Sequence, residues 1–110
     1  MAFFEVSPTG TTGVEIAAAI AGERARFLSL GVVNTHATTA AIVQIYDGTA
    51  AGGTRRFSMT LSAGASWYGI MEAPGKSVIP KPHFTAGNSI EVNLAASGTC
   101  RIFGDVVREV

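Results

Sequence analysis

Thirteen glycines divide this 110-residue chain at intervals of about ten residues, and that rhythm limits what it can fold into. Glycine weakens the interior of a helix and supplies the positive φ that tight turns need, so an even spread favours many short strands joined by turns. Turn chemistry clusters around these positions, at 34–38, Asp47-Gly48, Ala51-Gly52-Gly53, Ala63-Gly64, Pro74-Gly75, Ala86-Gly87-Asn88 and Ser97-Gly98. Asp47-Gly48 directly follows an apolar stretch. It reads as a hairpin or bulge with Asp47 as the turn former.

Between the turns, hydrophobic residues follow the two-residue period of a strand. Phe57, Met59 and Leu61 alternate with Ser58, Thr60 and Ser62, and Ile90, Val92 and Leu94 alternate with Glu91 and Asn93. Both are half-buried strands with one polar face. Residues 27–33 and 41–46 are more continuously apolar, which suits central strands or strands whose outer face meets another subunit. Further strands are expected at 3–6, 14–20, 66–71, 76–79 and 100–107, while Pro80 and Pro82 confine their neighbourhood to an edge or loop. Helix competes only over 14–30, where Ala17-Ala18-Ala19 and the 23–26 segment have good helix propensity. Gly22 interrupts that segment and its apolar residues keep to no single stripe, so two strands joined by a turn at 21–23 are expected instead. The class is all-β: an antiparallel two-sheet β-sandwich, jelly-roll-like in strand count, with eight or nine short strands in one domain over residues 1–110. Strand order is not legible at this level.

Charge narrows the partners. Eight basic and eight acidic residues make 15% of the chain, where an ordinary soluble domain carries about 25%. So thinly charged a surface, at net charge zero, suits packing against copies or neighbours, here a homodimer or homotrimer. Arg55-Arg56 is the one basic cluster, which argues against nucleic acid. No apolar run approaches the roughly 18 residues of a membrane span, and the first ten residues have neither the basic nor the apolar region of a signal peptide. Synthesis in a cytoplasm is expected. Cys100 has no partner for an internal disulfide and reads as a small buried hydrophobe.

Catalytic chemistry finds little company. A metal site of the kind jelly rolls carry needs a His-x-His pair with a glutamate and a third histidine, whereas His36 and His83 each stand alone. Both read as exposed loop histidines. The eight carboxylates are dispersed, with no pair placed for general acid and base work, and Glu91 is expected on a solvated face. There is no Gly-x-Ser-x-Gly elbow and no glycine-rich phosphate loop opening a helix. No catalytic residue, metal, cofactor or small-molecule substrate is expected, and the chain reads as a non-enzyme.

Candidate contact residues come from aromatic and terminal positions. Adjacent Trp67 and Tyr68 must point to opposite faces of a strand, leaving one in the core and one to anchor a partner. Arg55 and Arg56 fit a solvated hairpin end, or a rim salt bridge to a neighbour. Phe3 and Phe4 at one end, and Val107 and Val110 at the other, are apolar where chains usually fray. Such ends hold by joining the chain's own sheet or by lying across a neighbour. A neighbour is expected for at least one of them.

A resemblance gives these contacts a setting. Leu30-Gly31-Val32-Val33-Asn34-Thr35, followed by 40–49 and Gly52-Gly53-Thr54, is similar to a strand–turn–strand pattern of small tailed-bacteriophage virion proteins. Residues 84–92, 104–109 and 21–26 share that character, so about 40 positions take part. The resemblance implies a capsid decoration or cement protein on the virion's capsid surface. Such a protein binds between major capsid subunits, alongside copies of itself, and stabilises the mature shell. The alternative it implies is a tail, baseplate or head-fibre module that contacts host surface glycan.

Overall fold

The computed structural model describes residues 2–70 and 83–110, Ile70 by its backbone alone. The described strands are β1 (Ala2–Val6), β2 (Val14–Ala17), β3 (Arg24–Asn34), β4 (Ala41–Asp47), β5 (Thr54–Leu61), β6 (Ser66–Ile70), β7 (Ile90–Leu94) and β8 (Cys100–Glu109). They form two four-stranded antiparallel sheets, sheet A in the order β1-β8-β3-β6 and sheet B in the order β2-β7-β4-β5. First pairs with last, second with second-last, third with sixth and fourth with fifth. A single long hairpin folded over itself produces this nesting, and the added β3–β8 and β4–β7 ladders close it into a jelly roll. The two-sheet sandwich expected from the turns is the architecture observed.

Segment 14–30 resolves as two strands around a turn. Gly22 sits at φ 78° and the Glu23 amide donates to the Ile20 carbonyl at 3.1 Å. A positive φ there costs glycine nothing and would strain any helix through the same point. The continuous apolar run at 27–33 has a geometric cause. A bulge between Phe27 and Ser29 changes the strand's phase, so Ala25 and Phe27 face inward before it and Leu30 and Val32 after it. The expected strand at 76–79, the Pro74-Gly75 turn and the Pro80–Pro82 edge lie outside the described residues.

The core lies between the sheets. Phe27 is its centre, in edge-to-face contact with Phe4 and Phe84, each with ring centroids 5.7 Å away. Leu30, Val32 and Ile102 of sheet A meet Val43, Ile45, Ile90, Val92 and Leu94 of sheet B, all effectively inaccessible to water. Cys100 joins them, and burial pushes its thiol pKa up, so the thiol is a packing group rather than a nucleophile. Asn34 is also fully buried. Its amide donates to the carbonyls of Thr39, Leu61 and Ser62 and its Oδ1 accepts from the His36 amide, which ties the end of β3 to β4 and β5.

Both chain ends join the chain's own sheet, because β1 and β8 pair from Ala2↔Val106 to Val6↔Ile102. The preference for a neighbour at one end is thus corrected for the backbone, since antiparallel pairing already satisfies it. Gly104 serves the other ladder of β8, the one with β3. At φ 154° it sits where an added Cβ would lie 2.2 Å from the Ser29 carbonyl oxygen, a backbone atom that cannot swing aside. Gly104→Ala is therefore expected to cost about 3 kcal/mol in urea denaturation, while Gly10→Ala, which meets nothing within 4 Å, leaves stability within about 0.5 kcal/mol.

Candidate interaction surface

The outward residues of sheet A line up in rows set by strand register. One row runs Glu5, Phe103, Gly31, Tyr68 across all four strands. Gly31 lacks the side chain that would fill the space between the two rings, and Phe103 lies over it. An added Cβ at Gly31 would meet the tip of the Phe103 ring at 2.2 Å. Tyr68 reaches toward it from β6, giving near-parallel rings at 17° with centroids 6.2 Å apart. Phe3, on the next row beside Asp105, is 68% exposed, and Tyr68 is 58% exposed. Val33 and Val107 extend the apolar surface above and below the rings.

Sheet B presents a different exterior. Its outward positions on the β4–β5 ladder are Ile42 opposite Thr60, Gln44 opposite Ser58 and Tyr46 opposite Arg55, with Asn93 and Glu91 beside them on β7. Tyr46 donates its hydroxyl to Gln44 at 3.1 Å. Apart from Ile42 this is an ordinary wet face.

The candidate residues divide between these settings. Trp67 turns inward against Phe57 with ring centroids 6.3 Å apart, and Tyr68 turns outward, as adjacency on a strand requires. Phe3 is outward, and its neighbour Phe4 is in the core. Val107 is half-buried on the sheet A face and Val110 is fully exposed past the end of β8. Arg55 is exposed on β5. Phe3, Tyr68 and Val107 therefore share one face, whereas Arg55 lies on the other sheet.

Arg56 departs from the solvated reading. It pairs with Asp47, donates to the His83 carbonyl at 3.0 Å and lies over the Phe84 ring at 5.1 Å. The cause is Asp47, whose side chain is only 4% exposed. A buried carboxylate must be saturated with donors, and it receives the Thr85 amide and hydroxyl, the Asn88 amide and the Arg56 guanidinium. Asp47 is thus more than a turn former. It fastens the β4–β5 end to the 83–89 segment, which in turn docks Phe84 into the core. His83 is corrected likewise, since its Nε2 lies 2.6 Å from Glu109 Oε1, which also accepts from Arg26 at 3.1 Å. His36 is occupied too, its Nδ1 accepting from the Thr38 and Thr39 amides. Glu91 accepts from the Ala50 amide at 3.0 Å instead of pointing freely into water.

Each of these side chains is engaged inside the molecule. A cleft of about 310 Å³ beside β1 and β2 is lined by alanines, Phe3, Phe4, Ile16 and Val106, with Arg108 as its single ionisable side chain. A second depression borders Asp47, whose oxygens are already taken by the donors above. Among the described residues no three His, Cys, Asp or Glu side chains gather to hold a metal ion.

Burial raises the Asp47 pKa, but the hydrogen bonds from Thr85 and Asn88 and the charge of Arg56 outweigh it, so the net position is below the ordinary carboxylate value. Glu109 is also lowered, first by its hydrogen bond from Arg26 and then by that with His83. Carboxylates lowered by folding contribute stability that is present above their unfolded pKa, near 4, and is lost as pH falls through the folded value. Urea midpoints should accordingly fall steeply below about pH 4. Asp47→Asn is expected to cost about 3 kcal/mol at pH 7 and to flatten that acid limb, which chevron-free equilibrium titrations at pH 7 and pH 3 would read.

No protein-family model and no curated protein sequence matches the chain. Among solved structures it is similar to a protein described under "Bacillus endospore appendages form a novel family of disulfide-linked pili". That match has a TM-score of 0.53 and 13% identity, and it covers 99% of this chain and 85% of that one. PirA is a weaker likeness, with a TM-score of 0.47, 18% identity and coverage of 94% and 93%. At 13% identity the endospore appendage likeness establishes a shared β-sandwich fold and leaves function to the residues themselves.

Proposed function

We propose that this chain is a non-enzymatic structural subunit that works in many copies, held through protein contacts. The observation that carries this reading is the difference between the two exteriors of the sandwich. Sheet B is faced mainly with amides and hydroxyls around a single exposed Ile42, whereas sheet A sets the exposed rings of Phe3 and Tyr68 beside Phe103 among its charged side chains. Exposed aromatics gathered on one face of an otherwise well-satisfied domain are the composition of a contact surface. Asp47, the buried carboxylate among the described residues, has its oxygens filled by Thr85, Asn88 and Arg56, and the cleft beside β1 has Arg108 as its ionisable side chain. The endospore appendage likeness is consistent with this reading, since that protein is described among disulfide-linked pili.

The finer reading is capsid decoration, and it rests on the resemblance of 30–35, 40–49 and 84–92 to tailed-phage virion proteins. A cement protein acts by differential affinity. It contacts major capsid subunits only in their mature arrangement, so its occupancy stabilises that arrangement by mass action. Modest single contacts suffice when many copies act together. Virions lacking this chain are expected to release their genomes at a lower temperature than complete ones, measured by dye access to nucleic acid on heating. Equal release temperatures would contradict the cement role. A tail or fibre module that meets host glycan is the second reading, favoured by the exposed Tyr68 phenol beside Phe103. Copy number per particle separates the two, hundreds for decoration and tens or fewer for a tail part.

A further inference from the structure

We infer that the outer face of sheet A is a contact between two copies of this chain. The inference rests on the structural-subunit reading and names the partner for the face that carries it.

Charge argues for a second copy first. The formal charges on this face are Arg24, Arg26 and Arg101 against Glu5, Asp105 and Glu109, three of each sign, so the face sums to zero. The signs are also interleaved. Arg26 bonds Glu109 at 3.1 Å at one end, and Arg101 Nε lies 3.9 Å from Glu5 at the other. A face that is neutral and mixed along its length meets a copy of itself without net repulsion. The same neutrality gives a polyanion or an anionic membrane no purchase.

Area argues the same way and sets the strength. Where all four strands run together, over residues 102–105 of β8, the face is about 19 Å wide and 14 Å long, and β3 with β8 continues it by about 20 Å more. Each copy would bury about 500 Å², and a pair about 1,000 Å², which is the lower limit for a specific contact. A contact at that limit is expected to be weak in isolation and strengthened where many copies are held side by side. Phe3 and Tyr68 are its anchors, being the large exposed side chains on the face.

Sedimentation velocity of the whole chain from about 5 to 500 µM reads this directly. Wild-type protein is expected to shift from monomer to dimer across that range. Tyr68→Lys and Phe3→Lys are expected to raise the dissociation constant at least about tenfold each, while the monomer keeps a cooperative thermal melt, lowered for Tyr68→Lys by no more than the loss of its stacking on Phe103. Ile42→Lys, on sheet B, is the control and leaves it unchanged. A wild-type monomer at 500 µM, or a dimer insensitive to both sheet A variants, overturns the inference. The second outcome would point to pairing through an edge strand such as β5, and a monomer retained on an oligosaccharide resin through Tyr68 would reassign the face to sugar. A monomer that still binds virions would remove this contact while leaving the subunit reading standing, whereas a dimer with no affinity for any particle would do the opposite.

Discussion

The ladder between β3 and β8 is the constraint on which the rest depends. It runs from Arg24↔Glu109 to Asn34↔Cys100, joining residues more than sixty positions apart in the sequence at every step. Antiparallel pairing over that separation carries a heavy loop-closure cost, which only the burial of both central strands repays. Once it forms, β1 and β6 have their places on either side, and the inward side chains Phe27, Leu30, Val32 and Ile102 make the floor on which sheet B lies. Small residues at the crossing points follow from the same ladder. Gly104 lets the two backbones approach, and Gly31 makes room for the Phe103 ring on the other side.

Two polar clusters hold what the ladders do not. Asn34 joins three strand ends by hydrogen bonds inside the core, and Asp47 joins the far end of sheet B to the segment that delivers Phe84. Each is buried and fully engaged, so each specifies one arrangement instead of several. With Asn34 and Asp47 satisfied and its ends paired, the domain presents an asymmetric exterior, with exposed aromatic rings set among charges on sheet A and mainly amides and hydroxyls on sheet B.

Much of the fold was legible because strands and turns are local. Ile90 to Leu94 alternates cleanly and forms a strand with the same bounds, and Trp67 and Tyr68 part to opposite faces as pleating demands. The order of strands was not legible, since pairing partners lie tens of residues apart and no local pattern encodes them. The bulge at Phe27/Ser29 disguised an alternating strand as a continuous apolar run. Long-range partners also hid the parts played by Asp47, Arg56, His83 and Glu91. Asp47 looked like a turn former and the others like solvated residues, because their partners lie elsewhere in the sequence, as Thr85 and Asn88 do from Asp47. The low total charge was a usable sign of what they do: with so few ionic groups in the chain, several prove to be spent on internal pairs. The aromatic face itself could be anticipated residue by residue but not as a surface. Phe3, Phe103 and Tyr68 come together only through the strand order.

The account turns on sheet A being the covered side of the sandwich and sheet B the wet one. Hydroxyl-radical footprinting, comparing dilute monomer with the assembled state, tests this with two tyrosines on opposite faces. Tyr68 is expected to lose most of its reactivity on assembly while Tyr46 keeps its own. Tyr68 remaining as reactive in the assembly as in the monomer would contradict the account.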